Sequence, residues 1–387
     1  MHDVLAGYVG RGEVPGLVGL ISRHDETHVE AIGTRSIGGE PIARDTIFRI
    51  ASMSKPVTAA ATMVLVEEGL VRLDEPVDRL LPELSERRVL RAVDGSVGDT
   101  VRANRAITVR DLLMFTAGFG YLFAPRLYPI HEATAELGLS AGPPRPASLP
   151  TPDEYMRRLG TLPLLFQPGT SWLYNTGAEV LSVLIARAAG QSFERFLQER
   201  LFEPLDMKDT GFVVPAAKLG RLTTSYVNNR ETQALDVYDA AETSDWQKAP
   251  AFPNGAGGLL STVDDYLAFG RMLMNGGRLG NARILSRPSV ELMTTDQLTA
   301  EEKANCGFGP EMFAHHGWGF CLYIVTRRAG LDSVGSYGWS GGLGSSWESD
   351  PREDMITILL TSKLWDSATP PPVFGDFSTL AYSAIDD

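Results

Sequence analysis

Residues 48–56 read Phe-Arg-Ile-Ala-Ser-Met-Ser-Lys-Pro, and this stretch decides how the rest of the chain is interpreted. It places Ser52 three residues before Lys55 at the predicted start of a helix, where positions i and i+3 share one face. A serine hydroxyl becomes a nucleophile only when a neighbouring base takes its proton, and burial lowers the pKa of a lysine amine enough for that task. Chance also produces this spacing, so a helix cap followed by a surface lysine is the alternative at this point.

The helix predicted after this stretch supports the chemical interpretation. Residues 54–68 are rich in Ala and other apolar residues, Pro56 fits a first helical turn, and Gly69 provides a stop. Because the middle of the segment has almost no charge, we expect the helix to be buried. Ser52 would then lie at the N-terminus of a buried helix, where the helix dipole and free N–H groups favour the negative charge of an oxyanion.

Composition argues against several classes of function. The chain has 387 residues, a net charge of −13 and no run of Lys or Arg, so nucleic acid and membranes are not expected partners. The sequence contains no stretch of about 18 apolar residues, so we expect no transmembrane helix. Residues 1–5 lack the features of a secretory signal, and Cys306 and Cys321 are too few for a disulfide framework, so we expect a cytoplasmic protein with reduced thiols. The oligomeric state stays open.

A second serine competes with Ser52 for the role of nucleophile. Gly338-Trp-Ser-Gly-Gly342 matches G-x-S-x-G, the nucleophile elbow of α/β-hydrolases. That fold needs a histidine after the serine, and all six histidines of this chain precede Ser340. The elbow also opens a helix, whereas residues 345–349 predict a strand. We therefore interpret this motif as a glycine-rich approach to a strand.

The sequence predicts neither a metal site nor a cofactor. His315 and His316 are adjacent, so they point to different sides of a helix or strand, and no H-E-x-x-H or C-x-x-C motif accompanies them. No G-x-x-x-x-G-K-[ST] motif offers a cradle for nucleotide phosphates.

Two further segments provide partners for Ser52. Residues 167–177 form a Pro-Gly turn that presents Tyr174 just before a helix that Asn175 or Thr176 can cap. Near a lysine ammonium we expect the pKa of the Tyr174 hydroxyl to fall, while a packed aromatic is the alternative. The N–H groups of Gly342 and Ser52 can together form a two-donor oxyanion hole.

Seven motifs occur in a fixed order along nearly the whole chain: residues 48–56, Leu73-Asp-Glu-Pro-Val77, Ile107-Thr-Val-Arg-Asp-Leu-Leu113, Gly118-Phe-Gly-Tyr121, Pro168-Gly-Thr-Ser-Trp-Leu-Tyr174, Phe202-Glu-Pro-Leu-Asp-Met207 with Thr210-Gly-Phe212, and Gly257-Gly-Leu-Leu-Ser-Thr262. In this combination the chain resembles the penicillin-recognising serine hydrolases of the class C β-lactamase type. It is most similar to their esterase branch, the family VIII carboxylesterases.

The resemblance implies a role for individual residues. It implies Ser52 as the nucleophile, Lys55 as its proton acceptor and Tyr174 as a shared base and acid. The oxyanion hole maps onto the N–H groups of Ser52 and Gly342. The implied substrate-binding positions are Tyr121, Asn175, Trp339, Ser340 and Gly341.

Two positions depart from the pattern of lactamases and DD-peptidases. Those enzymes usually carry Lys-Thr-Gly where this chain has Trp339-Ser340-Gly341, which we call the third motif. The cation of that motif helps hold a substrate carboxylate, and Trp339 stands in its place. They also place an asparagine two residues after the tyrosine, where this chain has Thr176, and Asn175 is one residue after. Both departures favour neutral esters over β-lactams or D-Ala-D-Ala peptides.

For the fold, we predict an α/β plus all-α structure of the β-lactamase/transpeptidase-like type, with an antiparallel sheet flanked by helices and an inserted helical domain. The predicted strands are 15–22, 28–32, 319–326, 345–349 and 355–361, and the predicted helices after the first are 107–118 with Thr108 as N-cap, 176–190, 192–202, 262–275 and 374–385. Residues 1–85 and 250–387 would form the α/β domain and residues 86–249 the mainly helical one, with the active site in the cleft between them.

The predicted function is a serine carboxylesterase that hydrolyses small to medium esters through an acyl-enzyme, with a small-molecule ester as its partner. An acyltransferase of the same fold and a β-lactamase or DD-peptidase-like amide hydrolase are alternatives. A non-enzymatic alternative is a ligand-binding sensor on this scaffold, and the intact set of Ser52, Lys55 and Tyr174 argues against it.

Overall fold

The computed structural model describes residues 1–24, 26–123, 126–139, 142–232 and 234–386. Its strands, numbered in chain order, are β1 (Gly16–Arg23), β2 (Glu26–Gly33), β3 (Phe48–Arg49), β4 (Arg88–Leu90), β5 (Thr100–Arg102), β6 (Ser225–Asn228), β7 (Leu235–Asp239), β8 (Leu260–Ser261), β9 (Arg278–Leu279), β10 (Ala282–Arg283), β11 (His316–Trp318), β12 (Tyr323–Val325), β13 (Tyr337–Gly341), β14 (Ser345–Asp350) and β15 (Met355–Thr361).

The central element is a seven-stranded antiparallel sheet in the order β11-β12-β13-β14-β15-β1-β2. The two ends of the chain meet where β1 pairs with β15, in a register that joins Leu17 to Thr361 and Arg23 to Met355. The remaining strands form two-stranded pairs outside this sheet. The predicted antiparallel sheet built from both termini is therefore confirmed.

The prediction was wrong about one strand. Residues 319–326 do not form a single strand, because the chain turns at 319–322 between β11 and β12. Within this turn the buried Cys321 has a φ of 61°, in the left-handed region that breaks strand geometry. The apolar run is explained by burial of most of the hairpin, in which His316 and Tyr323 are partly exposed, rather than by one extended segment.

The helices are α1 (His2–Gly10), α2 (Ser54–Glu67), α3 (Val109–Met114), α4 (Pro129–Glu136), α5 (Pro152–Thr161), α6 (Thr176–Ala189), α7 (Phe193–Leu197), α8 (Val263–Met274), α9 (Arg287–Met293), α10 (Ala300–Ala304) and α11 (Pro372–Ser383). The segment predicted as a helix over 192–202 contains α7 followed by a π-helical turn. Helix α1 was not predicted. Its buried residues, Leu5 and Tyr8, join α11 and one face of the sheet in a small apolar cluster.

The main core lies on the other face of the sheet and extends around α2. Every residue of α2 from Ser54 to Leu65 is buried, which confirms the helix predicted to be buried from its lack of charge. Helix α6 packs directly against α2, and α8 packs against β15. Residues 86–249 contain α3 to α7 together with the short pairs β4–β5 and β6–β7. The proposed boundaries at 85 and 250 stay a prediction.

Candidate active site

The backbone before α2 presents Ser52 in a tight, fixed turn. Ile50 N–H donates to Leu259 O at 3.0 Å, and Ala51 then adopts a φ of 44°, which is uncommon for a residue with a Cβ. Residues Ala51–Met53 form a 3₁₀ turn, so Ser52 lies just before α2 rather than inside it. The Ser345 hydroxyl donates to Ile50 O at 2.9 Å and ties this turn to the central sheet.

Lys55 provides the base next to this serine. Its Nζ lies 2.9 Å from Ser52 Oγ and 2.6 Å from Ala256 O, and the side chain is 0% exposed. Burial lowers the pKa of Lys55 to about 7, although the charge of Glu179 acts in the opposite direction. Near neutral pH a large fraction of Lys55 is therefore the neutral amine, which can accept a proton from Ser52.

Tyr174 completes this group from the segment before α6. Its ring centroid lies 4.5 Å from Lys55 Nζ, and its hydroxyl accepts a hydrogen bond from Trp339 Nε1 at 2.8 Å. Our expectation that its pKa falls was wrong in direction. Burial raises the pKa of the Tyr174 hydroxyl, and hydrogen bonding to Ser52 and Trp339 offsets only part of that rise. Tyr174 therefore stays protonated near neutral pH.

Asn175, one of the two residues that the sequence offered as a cap for this helix, has a different local role. It occupies the position before α6, but its side chain makes no capping hydrogen bond. With φ 81° and ψ −64°, and with Thr176 N–H donating to Tyr174 O at 3.2 Å, it forms a γ-turn of the rare and strained kind. Its Nδ2 donates instead to the Tyr121 hydroxyl at 3.0 Å.

Tyr121 is held beside Tyr174 by its own backbone. Its N–H donates to Tyr174 O at 2.8 Å, and the two rings meet edge to face at 6.2 Å. The ring of Phe308 lies 5.2 Å from Tyr174, and sequence reasoning did not find this residue. Together with Trp339, these side chains give the surroundings of Tyr174 an aromatic, largely apolar character.

The third motif lies on β13 and the turn after it. Because side chains alternate along a strand, Trp339 and Ser340 point to opposite faces of β13. Gly341 lies so close to the nucleophile turn that a Cβ there would be 2.3 Å from Ile50 O. Among the described residues, the N–H groups of Ser52 and Gly342 have no hydrogen-bond partner, and no atom would contact a Cβ on Gly342.

A buried polar network below Lys55 was also missed by sequence reasoning. Glu179 on α6 accepts hydrogen bonds from the Tyr155 hydroxyl at 2.5 Å and from Asn254 Nδ2 at 3.1 Å. Asn254 Oδ1 in turn accepts from Ala256 N–H at 2.7 Å, and Ala256 O is the second acceptor for Lys55. The glycine cluster at 254–258 was visible in the sequence, but nothing there indicated a carboxylate partner.

Over the described part of the chain, no group of three or more His, Cys, Asp or Glu side chains could hold a metal ion. The described helices also include none that is long and apolar enough to cross a membrane.

The chain is similar to known proteins over nearly its whole length. The Beta-lactamase family model matches residues 1–369. An uncharacterized protein of Mycobacterium tuberculosis (strain CDC 1551 / Oshkosh) is 37% identical over 358 residues, which cover 90% of this chain and 86% of that protein. Esterase EstB of Burkholderia gladioli is 28% identical over 379 residues, which cover 92% of this chain and 88% of EstB.

Solved structures show the same fold. EstCE1, a hydrolase with promiscuous acyltransferase activity, superimposes with a TM-score of 0.79 at 24% identity, over 99% of this chain and 96% of EstCE1. Simvastatin synthase (LovD) from Aspergillus terreus gives a TM-score of 0.80 at 22% identity, over 98% of this chain and 96% of LovD. The β-lactamase/transpeptidase-like fold and the resemblance inferred from the motifs are confirmed, and the relatives support a serine hydrolase or acyltransferase of this fold. The chain belongs to the Beta-lactamase family.

Proposed function

We propose that this chain is a serine carboxylesterase that hydrolyses small to medium carboxylic esters through an acyl-enzyme on Ser52. The observation that carries the proposal is the fully buried Lys55 amine, 2.9 Å from Ser52 Oγ, with its pKa lowered to about 7. A serine hydroxyl gains nucleophilic strength from such a neutral amine at neutral pH. EstB of Burkholderia gladioli, which matches over most of both chains, is named an esterase.

In acylation, neutral Lys55 accepts the Ser52 proton while Oγ bonds to the ester carbonyl carbon. The carbonyl oxygen takes up the electron pair, and the N–H groups of Ser52 and Gly342 donate to this oxyanion. When the carbonyl forms again, the bond to the leaving alkoxide breaks. The alkoxide takes the Tyr174 proton, and the Lys55 ammonium restores that proton to the Tyr174 oxygen.

In deacylation, water replaces the alcohol and the same groups act in reverse. The water proton passes through Tyr174 to Lys55 as its oxygen attacks the acyl carbon. The bond from the acyl carbon to Ser52 Oγ then breaks, and Oγ takes the proton back from Lys55. The raised pKa of Tyr174 suits it to donate and regain a proton rather than to act as a lasting phenolate base.

The third motif favours a neutral ester over a β-lactam. Trp339 provides no cation for a substrate carboxylate, and its indole N–H is already directed at the Tyr174 hydroxyl. Asn175 is similarly engaged, because its amide donates to Tyr121. An apolar acyl or alcohol group suits the aromatic surroundings formed by Tyr121, Phe308 and Trp339.

An acyltransferase of the same fold is the second candidate, since acyltransferase calJ of Penicillium decumbens is 28% identical over 349 residues. It differs only in the acceptor, because an alcohol rather than water would meet the acyl-enzyme. The substrate we propose is a small molecule in either case, and the cytoplasmic setting stays a prediction.

A substrate comparison tests the proposed function. Purified protein is assayed with p-nitrophenyl acetate, p-nitrophenyl butyrate and a chromogenic cephalosporin, each with and without an excess of a primary alcohol. We expect both esters to be turned over and the cephalosporin to react far more slowly. Cephalosporin turnover that exceeds ester turnover would instead assign the site to a β-lactamase. A new ester that accumulates faster than the free acid would assign it to an acyltransferase.

Trp339 is expected to tune the rate through Tyr174. Replacing Trp339 with phenylalanine keeps an aromatic ring but removes the N–H donor, so we expect kcat for p-nitrophenyl butyrate to fall about five- to tenfold, the value of one ordinary hydrogen bond. Trp318→Phe is the matched control, because Trp318 is buried, packs 4.7 Å from Trp339, and its Nε1 has no partner among the described residues. Equal losses in the two variants would show that ring packing, not the hydrogen bond, matters.

A further inference from the structure

Glu179 is a buried carboxylate without an ion-pair partner among the described residues. It is 9% exposed, and its two oxygens accept from the Tyr155 hydroxyl at 2.5 Å and from Asn254 Nδ2 at 3.1 Å. A buried charge is costly unless hydrogen bonds or an opposite charge compensate for it. Glu179 lies on the helix that follows Tyr174, and packing alone does not explain why a carboxylate occupies this position.

A short chain of hydrogen bonds leads from Glu179 to the base. Asn254 donates to Glu179 and, through Oδ1, accepts from Ala256 N–H at 2.7 Å. The carbonyl of the same residue, Ala256, accepts from Lys55 Nζ at 2.6 Å. Fixing Asn254 thus fixes the peptide that orients the Lys55 amine toward Ser52.

The same loop is also held by uncharged contacts, which separates geometry from charge. The Ser182 hydroxyl accepts from Gly255 N–H at 2.8 Å, and the Thr58 hydroxyl donates to Gly255 O at 2.8 Å. These contacts tie the loop to α6 and α2 without adding a charge near Lys55. Loss of Ser182 would disturb the loop while leaving the electrostatics of the site unchanged.

We propose that Glu179 is a positioning residue for the base, which holds the Ala256 carbonyl through Asn254 and uses its negative charge to favour the ammonium form of Lys55. The proposal rests on the proposed function, because it assigns a task within the Ser52 and Lys55 mechanism. Glu179 touches neither Ser52 nor an expected reacting atom, so it acts through Lys55 alone.

The charges around the base support this assignment. Burial lowers the pKa of Lys55, and a negative charge on Glu179 of α6 or on Cys321 in the turn before β12 would raise it. The Cys321 thiol has a raised pKa of its own because it is buried, so it stays neutral at neutral pH. Glu179 is then the negative charge that opposes full loss of the Lys55 proton.

Besides Lys55, the described titratable groups that feel the charge of Glu179 are the hydroxyls of Tyr155 on α5 and of Tyr121, and burial together with that charge raises the pKa of both. Both hydroxyls therefore remain neutral donors across the pH range in which Lys55 titrates. Two opposing effects therefore set the pKa of Lys55 at this site: burial lowers it, and the charge of Glu179 raises it.

The test measures the pH dependence of Ser52 reactivity, using inactivation by a fluorophosphonate and mass spectrometry of the adduct, alongside p-nitrophenyl butyrate turnover. In wild type the rate rises with pH through the pKa of Lys55. In Glu179→Gln, which keeps the shape of the side chain, loss of the negative charge lowers that pKa. We expect the midpoint to move about one pH unit toward acid, with a lower plateau.

Two variants separate charge from geometry. Glu179→Asp keeps the charge but shortens the side chain, and Ser182→Ala disturbs the same loop without changing any charge. We expect both to lower the plateau while the midpoint stays near that of wild type. An unmoved midpoint in Glu179→Gln, or an equal shift in Ser182→Ala, would overturn the proposal.

The design also separates failure of this proposal from failure of the proposed function. If Ser52→Ala removes both adduct formation and turnover while the Glu179→Gln midpoint does not move, only the role of Glu179 is wrong. If turnover survives Ser52→Ala, the proposed function itself is wrong.

Should Glu179→Gln fail to fold, as judged by its thermal transition, Tyr155→Phe tests the network by removing one donor to the same carboxylate. The proposal then expects a midpoint shifted toward acid, because loss of a donor to the buried carboxylate favours its uncharged form and so weakens its support of the ammonium, and no shift would overturn it.

Discussion

Replacing Ser52 with alanine is expected to lower kcat/KM for p-nitrophenyl butyrate by about 10⁴-fold or more, because loss of a nucleophile removes the covalent route and leaves only binding and oxyanion stabilisation. The fluorophosphonate adduct should disappear from the intact-mass spectrum at the same time. The fold should survive, since Ser52 is partly exposed and its hydroxyl bonds to the Lys55 side chain rather than to a backbone group.

Ser340→Ala is the matched variant for the rival serine. Ser340 lies on β13 opposite Ser346, with its side chain on the other face of the strand from Trp339. We therefore expect kcat/KM to fall far less in Ser340→Ala than in Ser52→Ala, because only a side chain at a proposed substrate-binding position is altered. Turnover that survives Ser52→Ala but vanishes in Ser340→Ala would reject the mechanism proposed for this chain.

Features that depend on local sequence were predictable. The three-residue spacing of Ser52 and Lys55 needs only a helical turn, and that turn is present with the two side chains 2.9 Å apart. Thr108 was predicted as an N-cap and accepts from Asp111 N–H in a complete capping box. The lack of charge in α2 likewise predicted its burial. In each case one segment of chain contains the whole cause.

Features that depend on distant contacts were not predictable. The indole of Trp339 reaches Tyr174 across 165 positions of sequence, and Asn254 reaches Glu179 across 75. Asn175 is a residue type that often caps helices and lies just before α6. The backbone turns there, so its side-chain amide donates a hydrogen bond to the Tyr121 hydroxyl instead. No pattern along one strand or helix reports which side chains the fold brings together.

The direction of the Tyr174 pKa shift also could not be predicted from the sequence. From sequence, a nearby lysine ammonium predicted a lowered pKa. The structure buries both groups, and burial disfavours the charged form of each, so the pKa of Lys55 falls while that of Tyr174 rises. Two titratable groups whose environments separate their pKa values in this way can divide the work, with Lys55 as the base and Tyr174 as the proton donor.

Lys55→Met is expected to lower kcat about 10³-fold, because a positioned base typically contributes 10²–10⁴-fold and methionine fills the same space without accepting a proton. In wild type, kcat/KM should rise with pH through about 7 as Lys55 loses its proton, and should show no loss on the alkaline side below pH 10, because the pKa of Tyr174 is raised. The step near pH 7 should be absent from the variant. The measurement is a pH profile of p-nitrophenyl butyrate hydrolysis for both proteins, with spontaneous hydrolysis subtracted.

A stability measurement tests whether the loss of activity in Lys55→Met is chemical rather than structural. The pKa of Lys55 is about 7 in the folded protein and about 10.4 in an unfolded chain, so between these values the unfolded state binds the extra proton. Wild-type stability therefore rises with pH across that window, and the full cost of a buried ammonium is present below pH 7. Lys55→Met removes that cost, so the variant should unfold at a higher temperature than wild type at pH 6, with a difference that closes toward pH 10. A variant that is stable at pH 6 but keeps the step near pH 7 would exclude Lys55 as the base.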